Sequence, residues 1–145
     1  KTWRSAPHAI VGAMFNHISE WKRAATSFEA AMEWTGAPQA EAYVLNHLTL
    51  VYYHLGRDAD AMRQNAHALR IIAPWGVGPH LMFALINRAS LRHRDGDQIG
   101  AIADYGTVVQ HARALRDRWH ERTALGGLGQ VYCDIGQYDV ALAAR

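Results

Sequence analysis

Apolar residues recur along this chain at helical spacing. Leu45, Leu48, Tyr52 and Leu55 are separated by 3, 4 and 3 positions, and Leu125, Leu128, Tyr132 and Ile135 repeat that spacing. Each set predicts one apolar stripe on a helix of about four turns. Second stripes follow: Ala61, Met62, Asn65, Ala68, Leu69 and Ile72 after the first set, and Ile99, Ala101, Ile102, Tyr105, Val108, Val109 and Ala112 further on. Gly56, Gly96 and Gly136 stand where a first helix must stop. Glycine adopts the left-handed conformation that ends a helix at little steric cost. The pattern therefore predicts helix, tight turn, helix.

The pattern also repeats. Residues 45–61 and 125–141 coincide at Leu45/Leu125, Leu48/Leu128, Val51/Val131, Tyr52/Tyr132, Gly56/Gly136 and Ala61/Ala141. Midway between them, Gly96 and Ala101 occupy the same register. Val11, Gly12, Phe15, Trp21, Ala24, Phe28 and Ala31 supply a fourth copy, with Ser19 in place of glycine. The markers at 19, 56, 96 and 136 are spaced by 37, 40 and 40 residues. Self-similarity at such a period predicts an array of small units that bury their apolar faces by stacking. The expected units are 5–36, 38–73, 78–114 and 118–145, forming one domain over 1–145. Small residues at 24, 61, 101 and 141 would let paired helices approach closely.

On these residues the chain resembles the tetratricopeptide repeat (TPR) family. That pattern has a large residue, Leu-Gly and Tyr in the first helix, then Gly, an aromatic, Ala, an aromatic and Ala. The last unit carries it as Leu125, Leu128, Gly129, Tyr132, Gly136, Tyr138 and Ala141. The first has Val11, Gly12, Phe15, Trp21, Ala24, Phe28 and Ala31; the second has Leu45, Leu48, Tyr52, Gly56, Ala61 and Ala68. The third departs, with Arg88 and Arg92 where the family has Leu and Tyr. The 40-residue spacing and the connector over 114–129 resemble the longer variant in kinesin light chains, spindle-orientation adaptors and bacterial signalling ATPases and transcription regulators. Arg116 replaces a glycine of that connector, and Gly126 and Gly127 replace its asparagines. The resemblance implies an all-α fold, a right-handed superhelical solenoid of about four helix-turn-helix units.

It also implies a concave groove lined by the first helices. By repeat position the groove would present Asn16 and His17, then Asn46, Leu50, Tyr53 and His54. The third unit would add Phe83, Ile86, Asn87, Ser90, His93 and Arg94, and the fourth Thr123, Gln130, Cys133 and Asp134. Family usage implies that Asn46 and Asn87 bind the backbone of a peptide. The histidines at 17, 54 and 93 read either as a wetted polar lining or as a row able to hold an acidic peptide below about pH 6.5. Arg88 and Arg92 lie four apart on one face. They read as an anchor for a carboxylate or phosphate, as the mark of a locally shifted unit, or as partners of Asp95 or Asp97.

Composition adds exclusions. The 145 residues are half hydrophobic with a net charge of +2. No apolar run reaches the roughly 18 residues of a membrane span. The single Cys133 rules out an internal disulfide and fits a reducing, cytoplasmic compartment. Arg113, Arg116, Arg118 and Arg122 are interrupted by Asp117 and Glu121, which reads as a solvated face rather than a nucleic-acid footprint. The segment 73–80, APWGVGPH, reads as a stiff connector, with Trp75 exposed. No catalytic set, metal-ligand set or cofactor motif is recognisable. The chain lacks an initial Met and ends inside a second helix without a polar cap, so a fragment of a longer protein, or a last helix completed by another chain, is expected. Arginine-rich, lysine-poor composition fits a GC-rich bacterial genome.

The expectation is a non-enzymatic, cofactor-free module that binds a protein or peptide segment, including another domain of its own chain. The resemblance suggests the sensor or regulatory part of a multidomain bacterial transcription regulator. Alternatives are an oligomerisation spacer, as a homo-oligomer through the uncapped last helix, and a receptor for a small signalling peptide or small molecule.

Overall fold

The computed structural model describes residues 20–143, with side chains for all of these but 138–142. The described residues form six α-helices and no strand. These are α1 (Trp21–Met32), α2 (Pro38–His54), α3 (Asp58–Ile72), α4 (Pro79–Arg94), α5 (Gln98–Leu115) and α6 (Arg118–Ala143), with a 3-10 turn at Ala73–Trp75. None is long and apolar enough to cross a membrane. The contacts gather into two compact units, Lys1–Gly76 and Val77–Arg145. They divide within the Gly- and Pro-rich connector.

The helix ends follow local chemistry. Pro38 and Pro79 open α2 and α4 at first-turn positions, where no backbone donor is needed. Asp97 caps α5 by accepting from the Gly100 N–H at 2.8 Å, and Asp117 caps α6 by accepting from the His120 N–H at 3.1 Å. Gly56 and Gly96 take φ of +74° and +88°. Behind them the Arg57 N–H donates to the Tyr52 carbonyl at 2.9 Å, and the Asp97 N–H to that of Arg92 at 2.8 Å. These six-to-one bonds close Schellman turns and fold α3 back on α2 and α5 back on α4. The connector after α5 uses the same device with Arg116, at φ +55°; the Asp117 N–H donates to the Ala112 carbonyl at 2.8 Å. The expected glycine is thus replaced by a residue that takes its conformation.

In the first unit, α2 lies between α1 and α3. Phe28, Leu45, Leu48, Val51 and Ile72 are buried, and Ala24 and Ala61 have no exposure. Tyr52 is buried too, its hydroxyl donating to Glu29 Oε1 at 3.1 Å and its ring lying 4.3 Å below the Arg57 guanidinium. Burial first, and Glu29 second, push its phenol above the ordinary value.

In the second unit, α5 packs against both α4 and α6. Met82, Ala84, Leu91, Ala101, Val108, Ala124 and Val131 form its core. Two expectations fail at α6. The predicted turn at Gly136 is absent: the helix runs unbroken through it to Ala143. The predicted inward stripe is only partly covered: Leu128 and Ile135 are half-buried, while Leu125 is 43% and Tyr132 57% exposed. The buried face is His120, Ala124 and Val131 instead. Both failures share a cause. Glycine permits a left-handed turn but does not impose one; a returning helix must hold it. Without that return, Leu125 and Tyr132 stay at the surface.

Candidate functional site

The structure separates the sequence-derived site residues into four groups. Asn16 and His17 lie outside the described residues. Asn46 and Asn87 are buried, at 2% and 5% exposure, and each has an interaction partner within the fold. Helix α2 is covered from two sides, so its buried surface reaches from Ala42 round to Tyr52 and takes in Asn46. The same holds for Asn87 on α4, against α5 and α6. The third group is Arg88 and Arg92. The fourth comprises side chains that remain at the surface.

Arg88 and Arg92 do not stand open as an anion anchor, nor is Asp95 their partner. Arg88 clasps Asp104 of α5 in a two-pronged bond, Nε to Oδ2 at 2.9 Å and Nη2 to Oδ1 at 2.8 Å. Arg92 Nη1 reaches the same Oδ2 at 2.9 Å and only grazes Asp97 at 3.9 Å. The Asp104 side chain is 6% exposed. Its hydrogen bonds raise the Arg88 pKa and keep that guanidinium charged, against the opposing effect of burial. Two positive charges around one sequestered carboxylate satisfy the helix pair from within. The clue in the sequence was an acidic residue, Asp104, inside the apolar pattern of α5.

On the first unit, Leu50 and Tyr53 are half-buried and His54 is exposed. The His54 ring stacks on Trp21 of α1, with centroids 4.0 Å apart and planes 7° apart. Tyr53 meets His54 edge-on at 5.3 Å. The result is an aromatic cluster at the surface where α1 meets the end of α2.

On the second unit, α4 presents half-buried Phe83, Ile86, Ser90 and His93, with Arg94 exposed. Ser90 is tied inward: its hydroxyl lies 2.9 Å from that of Tyr105. His93 Nε2 lies 2.6 Å from Asp134 Oδ2 on α6. Gln130 Nε2 donates to the other oxygen of Asp134 at 3.0 Å. His93, Gln130 and Asp134 thus form one polar cluster bridging two first helices. Thr123 and Cys133 are exposed on α6.

The sequence pointed to His93, Gln130 and Asp134 separately, by repeat position. It missed their convergence, the Trp21–His54 stack and the burial of the asparagines. Among the described residues no three or more His, Cys, Asp or Glu side chains gather as metal ligands would. The surface carries a Trp21–His54–Tyr53 aromatic cluster on one unit, and on the other a carboxylate, an amide and an imidazole in one polar cluster. No protein-family model matches the chain, and no curated protein matches it.

Proposed function

We propose that this chain is a TPR-type helical-repeat scaffold that binds a protein or peptide segment. The observation that carries the reading is the cluster of His93, Gln130 and Asp134 bridging α4 and α6, with half-buried Phe83 and Ile86 further towards the start of α4. A peptide laid across two first helices would place an apolar side chain on Phe83 and Ile86. Its backbone N–H groups, or a basic side chain, would bond Asp134 and Gln130. The hairpins that recur in register, with Schellman turns at Gly56 and Gly96, support the repeat assignment. The 40-residue spacing makes a regulatory module of a multidomain bacterial transcription regulator the biological setting we favour, by analogy of pattern. The bound segment then belongs to a neighbouring domain or to a partner protein.

The test is selection of binding peptides from a random display library, followed by titration of the winners. Asp134→Ala and Gln130→Ala should each weaken binding by roughly tenfold, the loss expected for one interfacial charged or polar contact. Selected peptides that bind both variants as tightly as the parent chain would remove the reading.

A further inference from the structure

The turn from α5 into α6 carries Leu115, Arg116, Arg118, Trp119 and Arg122, all exposed. Along the chain, Asp117 and Glu121 break up this basic run. The fold gives both acids internal partners instead. Asp117 Oδ1 accepts from the His120 N–H at 3.1 Å, and its Oδ2 lies 2.6 Å from His120 Nδ1. Glu121 Oε2 accepts from Arg113 Nε at 2.8 Å. Among the described residues, no carboxylate pairs with Arg116, Arg118 or Arg122. Three guanidiniums are thus left facing water around a tryptophan that is 64% exposed.

Helix geometry arranges them. Two residues turn about 200° round a helix axis, so Arg118 and Arg122 stand opposite His120 and Ala124, which are buried. One turn apart on that outer face, their Cβ atoms are about 6 Å from each other. Trp119 stands beside Arg118, edge-on to His120 with ring centroids 4.7 Å apart. Across the turn, Leu115 is 51% exposed. Arg118 lies in the first turn of α6, where the positive end of the helix dipole disfavours a cation. The stability of α6 therefore gives no reason for an arginine there; an anionic partner does.

We propose that the α5–α6 turn docks an acidic protein segment whose carboxylates flank one large apolar side chain. The carboxylates pair with Arg116, Arg118 and Arg122, since a guanidinium matches carboxylate oxygens in bidentate fashion. The apolar side chain packs on Trp119, with Leu115 at its edge. The charge is confined to one turn of a chain whose net charge is only +2, which suits a short segment better than a nucleic acid needing a sustained basic face. Two exposed apolar side chains are also few for insertion into a bilayer. Asp134 lies twelve residues beyond Arg122 on α6, about 18 Å along the axis. This is therefore a second surface, and it stands independently of the His93, Gln130 and Asp134 cluster.

Fluorescence anisotropy tests it, with a labelled short peptide of glutamates and aspartates around one central phenylalanine. Binding should be micromolar, weaken as salt rises, and disappear for a control peptide with glutamine and asparagine in place of the acids. Arg118→Gln/Arg122→Gln should weaken binding by roughly tenfold or more, and Trp119→Ala by roughly tenfold. All three side chains are exposed, so the variants should keep the circular dichroism of the parent. A parent chain that leaves the acidic peptide free, or variants that bind it as tightly as the parent, overturn the proposal. A short oligothymidylate, or vesicles containing phosphatidylserine, bound more tightly than the peptide would also overturn it. The first result would make the turn a contact for single-stranded nucleic acid, and the second a membrane contact.

Discussion

The backbone of Gly127 on α6 lies against the phenol ring of Tyr105 on α5, so closely that a Cβ on Gly127 would stand 2.3 Å from Tyr105 Cζ. The same ring reaches α4, where its hydroxyl meets that of Ser90 at 2.9 Å. One side chain therefore links three helices of the second unit. Its neighbour Gly126 has nothing within 4 Å of its Cβ position. Gly127→Ala should destabilise the fold by about 1–3 kcal/mol through overpacking. Gly126→Ala should stabilise it by up to about 1 kcal/mol through helix propensity. Urea unfolding of the two variants checks the pair; equal midpoints would contradict the close approach.

The Arg88–Asp104–Arg92 cluster replaces apolar contacts with charge. Asp104→Ala would leave Arg88 without its counter-ion and Arg92 with only its 3.9 Å approach to Asp97. The cost should be about 3 kcal/mol, the low end for a broken buried pair, since both arginines keep partial access to water. The register of the first unit supplies a substitute: Leu48, Tyr52 and Gln64 correspond to Arg88, Arg92 and Asp104. The triple variant Arg88→Leu/Arg92→Tyr/Asp104→Gln should unfold within about 1 kcal/mol of the parent, or above it. Thermal denaturation of the single and triple variants separates the two costs.

Three glycines at one repeat position should respond oppositely to alanine. Gly56 and Gly96 sit at positive φ, where a Cβ costs roughly 1–2 kcal/mol. Gly136 is inside a helix, where alanine gains up to about 1 kcal/mol. Gly96→Ala should lower the melting temperature and Gly136→Ala should raise it. A Gly136→Ala protein that melts lower would mean that the chain turns there in solution.

Asp117 predicts an acid limit for the start of α6. The His120 N–H, above all, holds its carboxyl below the ordinary carboxylate value; the ring of His120, with Nδ1 2.6 Å from Oδ2, adds to this. A carboxylate with a lower pKa folded than unfolded favours folding above its unfolded value, near pH 4. That contribution is lost as pH falls through the folded value. Asp117→Asn should therefore lose less stability than the parent chain between about pH 5 and pH 3. Equal losses in denaturant titrations at the two pH values would remove this role for Asp117.

The helices and two of the turns were legible because their causes are local. A 3-4-3 apolar spacing, a proline in a first turn and a glycine before an aspartate or arginine act within a few residues. The candidate site was legible only as separate positions. His93, Gln130 and Asp134 could each be placed on a first helix, but their meeting depends on how α4 and α6 pack. Asn46 and Asn87 have the periodicity of a lining, yet a helix flanked on two sides has little outer surface left to present. Arg88 and Arg92 signalled an anomaly whose answer, Asp104, lies 16 and 12 residues away on another helix. Gly136 marks the boundary most plainly. Sequence alone determined where helices can form and where they are allowed to end, since backbone sterics and periodicity are properties of neighbouring residues. Tertiary structure decided which permitted turn is used and which polar groups are buried, because those outcomes depend on whether another helix returns to cover the face.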